Sequence, residues 1–252
     1  MDYAESRPYT PGDDVRHMDW RVTARTGRAH TKNFRTERER ETLLVCDLSR
    51  PMGFGTRERT KGAQAARVAA AVAWAAARSG ERIGAVSAAG RLPAKSGRRG
   101  VLGVLHALCG WYADPGTDAD ALVDTLPKAG RLAGSGAHLV VVADPGALGR
   151  VPPTAWAALA RHRELAVVMV VDPFEVDPPR RALPSSHAGG RAWLDLSGGR
   201  SREAWLRPLA EARRAAHEAV TTAGGRCREI EADESLERVL SWLMPEPGRL
   251  AT

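Results

Sequence analysis

The stretch that decides the fold is His138-Leu139-Val140-Val141-Val142-Ala143-Asp144, an apolar run that ends in an acid. A continuous apolar run of this kind is typical of a strand buried on both faces of a parallel sheet. The same pattern recurs at residues 42–47 and 165–172, and an Ala-rich helical pattern covers residues 61–78. Because strands alternate with helices, we predict an α/β fold with a doubly wound, mostly parallel sheet covered on both faces.

The remaining segments fit around this sheet. A strand pattern at residues 82–88 precedes a weaker one at 91–94, and we expect the two to form an antiparallel hairpin at the sheet edge. Residues 177–197, which are rich in Pro and Gly, are predicted to be loop. Further helices are predicted at residues 100–108, 118–126, 154–162, 202–222 and 235–243, with a short strand at 227–230.

The chain is expected to have three parts. Residues 1–40 are polar and lack periodicity, which predicts an N-terminal extended arm, with one or two turns, packed on the domain. Residues 41–244 form the α/β domain. Two prolines mark residues 245–252 as a flexible tail.

The composition is that of an ordinary globular protein. Its 252 residues carry 37 Lys and Arg against 30 Asp and Glu, a net charge of +7. The arginines are interleaved with acids and aromatic residues make up only 5%, which argues against nucleic-acid binding and favours an acidic protein surface as partner. Three dispersed cysteines, a polar start and no long apolar run indicate a soluble, cytoplasmic protein without a membrane span.

Several known catalytic and nucleotide-binding motifs are missing from the sequence: a P-loop, a GxSxG elbow and an HExxH pair. Open α/β sheets carry their sites at the carboxyl ends of the strands. Asp47, Ser49, Asp144 and Asp172 follow predicted strands. Oxygen ligands of this kind suit Mg²⁺, so the strand ends predict a cation site.

A family resemblance runs through Arg7-Pro8-Tyr9-Thr10-Pro11-Gly12-Asp13-Asp14-Val15-Arg16-His17-Met18-Asp19-Trp20, Thr23-Ala24-Arg25, Glu39-Arg40-Glu41, Asp47-Leu48-Ser49-Arg50-Pro51-Met52-Gly53-Phe54-Gly55, Lys61, Ala143-Asp144 and Val171-Asp172-Pro173-Phe174-Glu175. With these motifs, which span nearly the whole chain, it resembles bacterial domain-of-unknown-function family 58 (DUF58). The resemblance implies a von Willebrand factor A-like, Rossmann-like domain with one antiparallel edge strand. Such domains often bind Mg²⁺ at a metal-ion-dependent adhesion site built from DxSxS, a Thr and an Asp.

Carried onto this chain, that metal site consists of Asp47, Ser49, Thr117 and Asp144. Pro51 replaces the last serine of the motif and offers neither a hydroxyl nor an N–H, so the site is degenerate. Mg²⁺ bound with additional water is one alternative, and neutralisation of the carboxylates by the guanidinium of Arg50 is another. A third is that the two aspartates only cap strand ends and form ion pairs. Asp47, Ser49 and Arg50 are predicted to contact a partner.

The N-terminal signature has two interpretations. A catalytic or docking constellation is one, and an ion-pair lock that pins the arm onto the domain, with Trp20 as an apolar anchor, is the favoured one. The signature residues are Pro11, Gly12, Asp13, Asp14, Arg16, Asp19, Trp20 and Arg25.

The resemblance also implies a function. Family members resemble partners of MoxR-type AAA+ ATPases in chaperone-like assembly, so we expect a non-enzymatic interaction module that serves such an ATPase as partner or adaptor. One alternative is a metal-dependent hydrolase, although no nucleophile stands beside a base; its acids would be Asp13, Asp14, Asp19, Asp47 and Asp144. Another is a basic nucleic-acid-binding protein that uses Arg25, Arg28, Lys32, Arg35 and Arg38.

Overall fold

The computed structural model describes residues 2–11, 13–35, 40–113, 118, 120–187 and 190–243. The chain divides into two units, residues 1–39 and 40–252. In the first unit, strand β1 (Asp2–Pro8) pairs antiparallel with β2 (His30–Arg35), and their connection contains helix α1 (Trp20–Thr26). The left-handed backbone at Gly27, with φ of 70°, ends α1. This segment is more regular than an arm with one or two turns.

The aspartates of the N-terminal signature hold this unit together locally. Asp19 caps α1 by accepting the N–H groups of Arg21 and Val22, and it also accepts the hydroxyl of Ser6 at 2.6 Å. Asp13 pairs with Arg7 at 2.6 Å, and this hydrogen bond lowers the pKa of Asp13 to about 2.

The other signature residues lie at or near the surface. Asp14 pairs with Arg16 at 3.0 Å, while Arg25 is exposed. Gly12 lies outside the described residues. Trp20 is 69% exposed. Its role as an apolar anchor on the α/β domain concerns the contact between the two units and stays a prediction.

The second unit is built on a central sheet. Its strands are β3 (Glu41–Cys46), β4 (Arg82–Ser87), β5 (Gly90–Ser96), β6 (His138–Ala143), β7 (Glu164–Val171), β8 (Ala182–His187), β9 (Gly190–Asp195) and β10 (Arg226–Glu231). In the described part of this unit, six strands form one sheet in the order β10-β7-β6-β3-β4-β5, and every pairing is parallel except that of β5 with β4. This confirms the predicted doubly wound, mostly parallel sheet with an antiparallel edge strand.

Helices cover both faces of the sheet. They are α2 (Lys61–Arg78), α3 (Gly97–Ala113), α4 (Ala121–Leu132), α5 (Pro145–Gly149), α6 (Pro153–Ala160), α7 (Pro173–Val176), α8 (Gly199–Thr222) and α9 (Leu236–Leu243). Side chains of α2, α3 and α9 pack on one face, which includes Leu44 and Val140. Those of α4, α5, α6 and α8 pack on the other face, which includes Val45 and Val141. Successive residues of a strand point to opposite faces, so a sheet covered twice needs continuous apolar runs.

A segment of the second unit also differs from the sequence prediction. Residues 177–197 were expected to be loop, but β8 and β9 form a separate antiparallel hairpin there. Pro184 lies opposite Trp193 in this ribbon, a position that a two-stranded ribbon tolerates because each strand has a free edge. Among the described helices, none combines the length and apolar character that crossing a membrane requires.

Candidate functional site

Acids follow three neighbouring parallel strands at the carboxyl edge of the sheet. Asp47 follows β3, Asp144 follows β6 and Asp172 follows β7. The chain order reverses between β3 and β6, and such a switch point is where open α/β sheets form their crevice. The backbone N–H of Asp144 donates to Oδ2 of Asp47 at 3.0 Å, so these two residues are in direct contact.

Asp47 is a buried and fully engaged carboxylate. It is 1% exposed and accepts the backbone N–H of Ser49 at 2.8 Å and the Ser49 hydroxyl at 2.9 Å, besides the N–H of Asp144. Burial raises the pKa of Asp47 in spite of these three donors. The donors nonetheless give its oxygens the hydrogen bonds that a buried carboxylate requires.

A lysine supplies the cation of this site. Lys61 is the first residue of α2, and its fully buried Nζ lies 2.6 Å from Oδ2 of Asp144 and 2.7 Å from Oε1 of Glu175. Burial alone would lower the pKa of Lys61, but the two carboxylates together raise it above the ordinary value. The ammonium therefore stays charged and bridges two acids that sit on different elements.

Glu175 extends the network to the third strand end. Its other carboxylate oxygen accepts the N–H of Asp172 at 2.9 Å, and Asp172 accepts the N–H of Phe174, which makes a capping box at the start of α7. Asp172 also accepts the N–H of Thr56 at 2.8 Å and the Thr56 hydroxyl. The network thus ties the loop after β3 to the ends of β6 and β7.

The structure brings together three of the four predicted metal ligands. Asp47, Ser49 and Asp144 converge, while Thr117 lies outside the described residues. The predicted partner-binding role of Asp47 and Ser49 needs correction, because both side chains are buried and a partner cannot reach them. Arg50, the third predicted contact, is exposed.

The sequence reasoning assigned no site role to Lys61, Glu175 or Thr56. The signal for Glu175 was present as Asp-x-x-Glu at residues 172–175, the spacing of a capping box. For Lys61 the signal was weaker: a single lysine opening a helix that is otherwise rich in alanine.

The residues at this site do not fit Mg²⁺. The ammonium of Lys61 already neutralises Asp144, and a divalent cation beside it would meet like charge. The Ser49 hydroxyl donates to Asp47, and Pro51 offers no ligand. Throughout the described ranges, no group of three or more His, Cys, Asp or Glu side chains is arranged to hold a metal ion. Lys61 holds the cationic position that one of the three alternatives assigned to Arg50.

An exposed surface lies beside the buried network. It consists of the exposed residues Arg50, Phe54 and Val176 and the half-buried Phe174, and we call it the rim surface. Phe54 packs edge-on against Phe174 with ring centroids 6.3 Å apart, and Lys61 Nζ lies 6.0 Å from the Phe54 ring. Phe54, Val176 and Arg50 are exposed, so the rim surface combines a guanidinium with apolar groups.

Comparison with known proteins identifies the family. The model of the family described as "Protein of unknown function DUF58" matches residues 5–215. The chain belongs to the DUF58 family. Within this DUF58 protein the match includes the N-terminal signature and all three strand-end acids.

Relatives of this DUF58 protein include the uncharacterized proteins Mb1516 of Mycobacterium bovis and Rv1480 of Mycobacterium tuberculosis. Each is 37% identical over 186 residues, which cover 69% of this chain and 56% of the relative. The chain therefore spans a little over half the length of these relatives. Among solved structures, the conserved hypothetical protein BatB from Bacteroides thetaiotaomicron aligns with a TM-score of 0.48 and 15% identity, covering 81% of this chain and 96% of BatB.

Proposed function

We propose that this DUF58 protein is a non-enzymatic interaction module that binds an acidic surface of a MoxR-type AAA+ ATPase and serves it as an adaptor in chaperone-like assembly in the cytoplasm. The choice of partner rests on the family resemblance. The proposed binding site is the rim surface. The observation that carries the proposal is the closed network beneath it, in which Lys61 bridges Asp144 and Glu175, while Arg50 is exposed and forms no part of the network.

The same network argues for binding rather than catalysis. Asp47, Asp144 and Asp172 each accept several hydrogen bonds and hold backbone elements in place. A catalytic base needs to reach a substrate proton, and the buried Asp47 does not. The hydrolase alternative would place a metal ion at Asp144, but the carboxylate of Asp144 contacts the ammonium of Lys61.

The rim surface suits an acidic partner segment. A guanidinium forms bidentate hydrogen bonds with a carboxylate, and the exposed Phe54 ring provides apolar contact area. The net charge of +7 steers such a partner toward the protein over longer distances. Because the cation under the surface is covalently attached, we expect binding to be independent of divalent metal.

A titration of the ATPase into the full chain tests the proposal. Both proteins are kept nucleotide-free, so that the magnesium requirement of ATP binding does not enter, and the affinity is measured by calorimetry in EDTA and in MgCl₂. Arg50→Glu is expected to weaken binding about tenfold or more, since each 1.4 kcal/mol is a factor of ten. Arg91→Glu, at an exposed arginine of β5, is the matched control and should change affinity less than about twofold.

Three results would contradict the proposal. They are an ATPase that does not bind, equal losses in the two arginine variants, and binding that disappears in EDTA. The last result would restore the metal-dependent site.

A further inference from the structure

Helix α1 of the N-terminal unit presents a continuous exposed strip. Trp20, Arg21, Ala24 and Arg25 are all exposed, and they occupy positions i, i+1, i+4 and i+5 of the helix. Residues spaced in this way are neighbours on one side of a helix. Arg28 continues the exposed run just after Gly27 ends the helix. We call Trp20, Arg21, Ala24, Arg25 and Arg28 the α1 strip.

The other side of α1 faces its own hairpin. Val22 and Thr23 are half-buried, and the Thr23 hydroxyl oxygen accepts the N–H of His30 at 3.0 Å. Asp19 fixes the start of the helix through its two capping hydrogen bonds. The orientation of the α1 strip is therefore set within the N-terminal unit.

Within the described residues, the arginines of the α1 strip form no ion pair, whereas the aspartates of the N-terminal signature are all bonded to other groups. Within the part of the chain that the structure describes, Arg21, Arg25 and Arg28 form no ion pair with a carboxylate. The acids of the signature are engaged elsewhere: Asp13 and Asp14 each pair with another arginine, and Asp19 caps α1. The acids of the signature thus build the turn, and among the described residues none of them pairs with an arginine of the strip.

Trp20 adds a large apolar group to this charge. Tryptophan is usually mostly buried in folded proteins, and it is enriched among residues that dominate binding energy at interfaces. A side chain exposed to 69% in a strip that also contains three exposed arginines has the composition of an interface centre and not of a solvated surface.

We propose that the α1 strip is a docking surface for a short acidic segment of a partner protein, with an apolar side chain of that segment on Trp20 and its carboxylates on Arg21 and Arg25. Charge complementarity selects the partner chemistry. A protein segment fits better than nucleic acid, because the strip has one aromatic ring, whereas proteins that bind single-stranded nucleic acid stack successive bases on several aromatic side chains. This surface does not depend on the identity of the ATPase.

The experiment uses the full chain and a fluorescein-labelled peptide of Asp and Glu residues with a central Leu pair. Fluorescence anisotropy measures binding at low ionic strength. Trp20→Ala and Arg25→Glu are each expected to weaken binding about tenfold or more, because they remove the apolar anchor and reverse a contacting charge. Added salt should weaken the wild-type complex.

Two matched variants serve as controls. Trp193→Ala removes a tryptophan that is 75% exposed, and Arg78→Glu reverses an exposed arginine in the last turn of α2, as Arg25 lies in the last turn of α1. Both should change the affinity less than about twofold. Circular dichroism of each variant verifies that the fold is retained.

The inference is overturned if the wild-type chain does not bind the peptide, or if the control variants weaken binding as much as the strip variants. A labelled oligothymidine forms a third arm. If it binds more tightly than the peptide and with the same dependence on Trp20 and Arg25, the strip is a nucleic-acid site and the assignment to an acidic protein segment is wrong.

Discussion

Replacing Lys61 with methionine tests how much the buried ion pairs of Lys61 contribute to the stability of the protein. Methionine keeps most of the apolar length of the side chain but removes the ammonium that contacts Asp144 and Glu175 at 2.6 and 2.7 Å. Both carboxylates are then nearly buried without their cation. We expect Lys61→Met to be strongly destabilising.

The magnitude follows from the burial of the partners. The side chains of Asp144 and Glu175 are only 9% and 12% exposed, so water replaces little of the lost interaction. Removing one partner of a buried ion pair costs about 3–5 kcal/mol. For a chain of this size each kcal/mol shifts the melting temperature by about 2–4 °C, so we expect a fall of about 6–20 °C.

The pH dependence has a defined sign. The two carboxylates raise the pKa of Lys61 above its ordinary value of 10.5, so the folded protein holds this proton more tightly than the unfolded chain does. The stabilisation by Lys61 is fully present below pH 10.5 and is lost as the pH rises through the folded-state pKa. The difference in unfolding free energy between wild type and Lys61→Met should therefore narrow above pH 10.5.

The assay is urea unfolding followed by circular dichroism over a range of pH, with Lys128→Met as control. Lys128 is an exposed lysine of α4, and its replacement should change stability by less than about 0.5 kcal/mol. A loss below about 1 kcal/mol in Lys61→Met would refute the argument, because it would mean that the ammonium does not offset the buried carboxylates. A difference that stays constant above pH 10.5 would refute the assigned titration.

Three further predictions concern the same unit. Asp172→Asn should cost about 1–3 kcal/mol in urea unfolding, since it weakens hydrogen bonds from Thr56 and from the start of α7; a neutral result would show that the charge there is dispensable. Burial lowers the pKa of His138, so stability should fall as the pH drops below 6.5, and His138→Gln should remove that acid-dependent slope. Lys61→Ala vacates the cationic position, so MgCl₂ should raise the melting temperature of this variant and leave that of wild type unchanged; a rise in wild type would contradict the poor fit to metal.

The central sheet was predictable because its strands are buried on both faces. Residues of β6 and β7 must be apolar at nearly every position, and this leaves a visible run in the sequence. The β8–β9 and β1–β2 hairpins were not predicted, since their sequences contain polar residues and no continuous apolar run. Their pairing follows from contacts between segments, which local patterns do not encode.

The candidate site was only partly predictable. Strand ends located Asp47, Asp144 and Asp172 because sheet topology brings such positions together. The bridge from Lys61 to Glu175 joins residues 114 positions apart, and neither lies at a position that periodicity marks as special. The burial of these acids was not predictable from the sequence either, because the side chains that cover them come from several elements.

The bridging lysine also makes the positive charge at this edge of the sheet a permanent part of the chain. A cation that belongs to a side chain cannot dissociate, so chelators, dilution and competition between calcium and magnesium do not remove it. The ammonium of Lys61 is part of the chain, so the cationic position stays filled when the concentrations of free ions change. A complex formed at this edge is therefore expected to respond neither to chelators nor to changes in divalent-ion concentration.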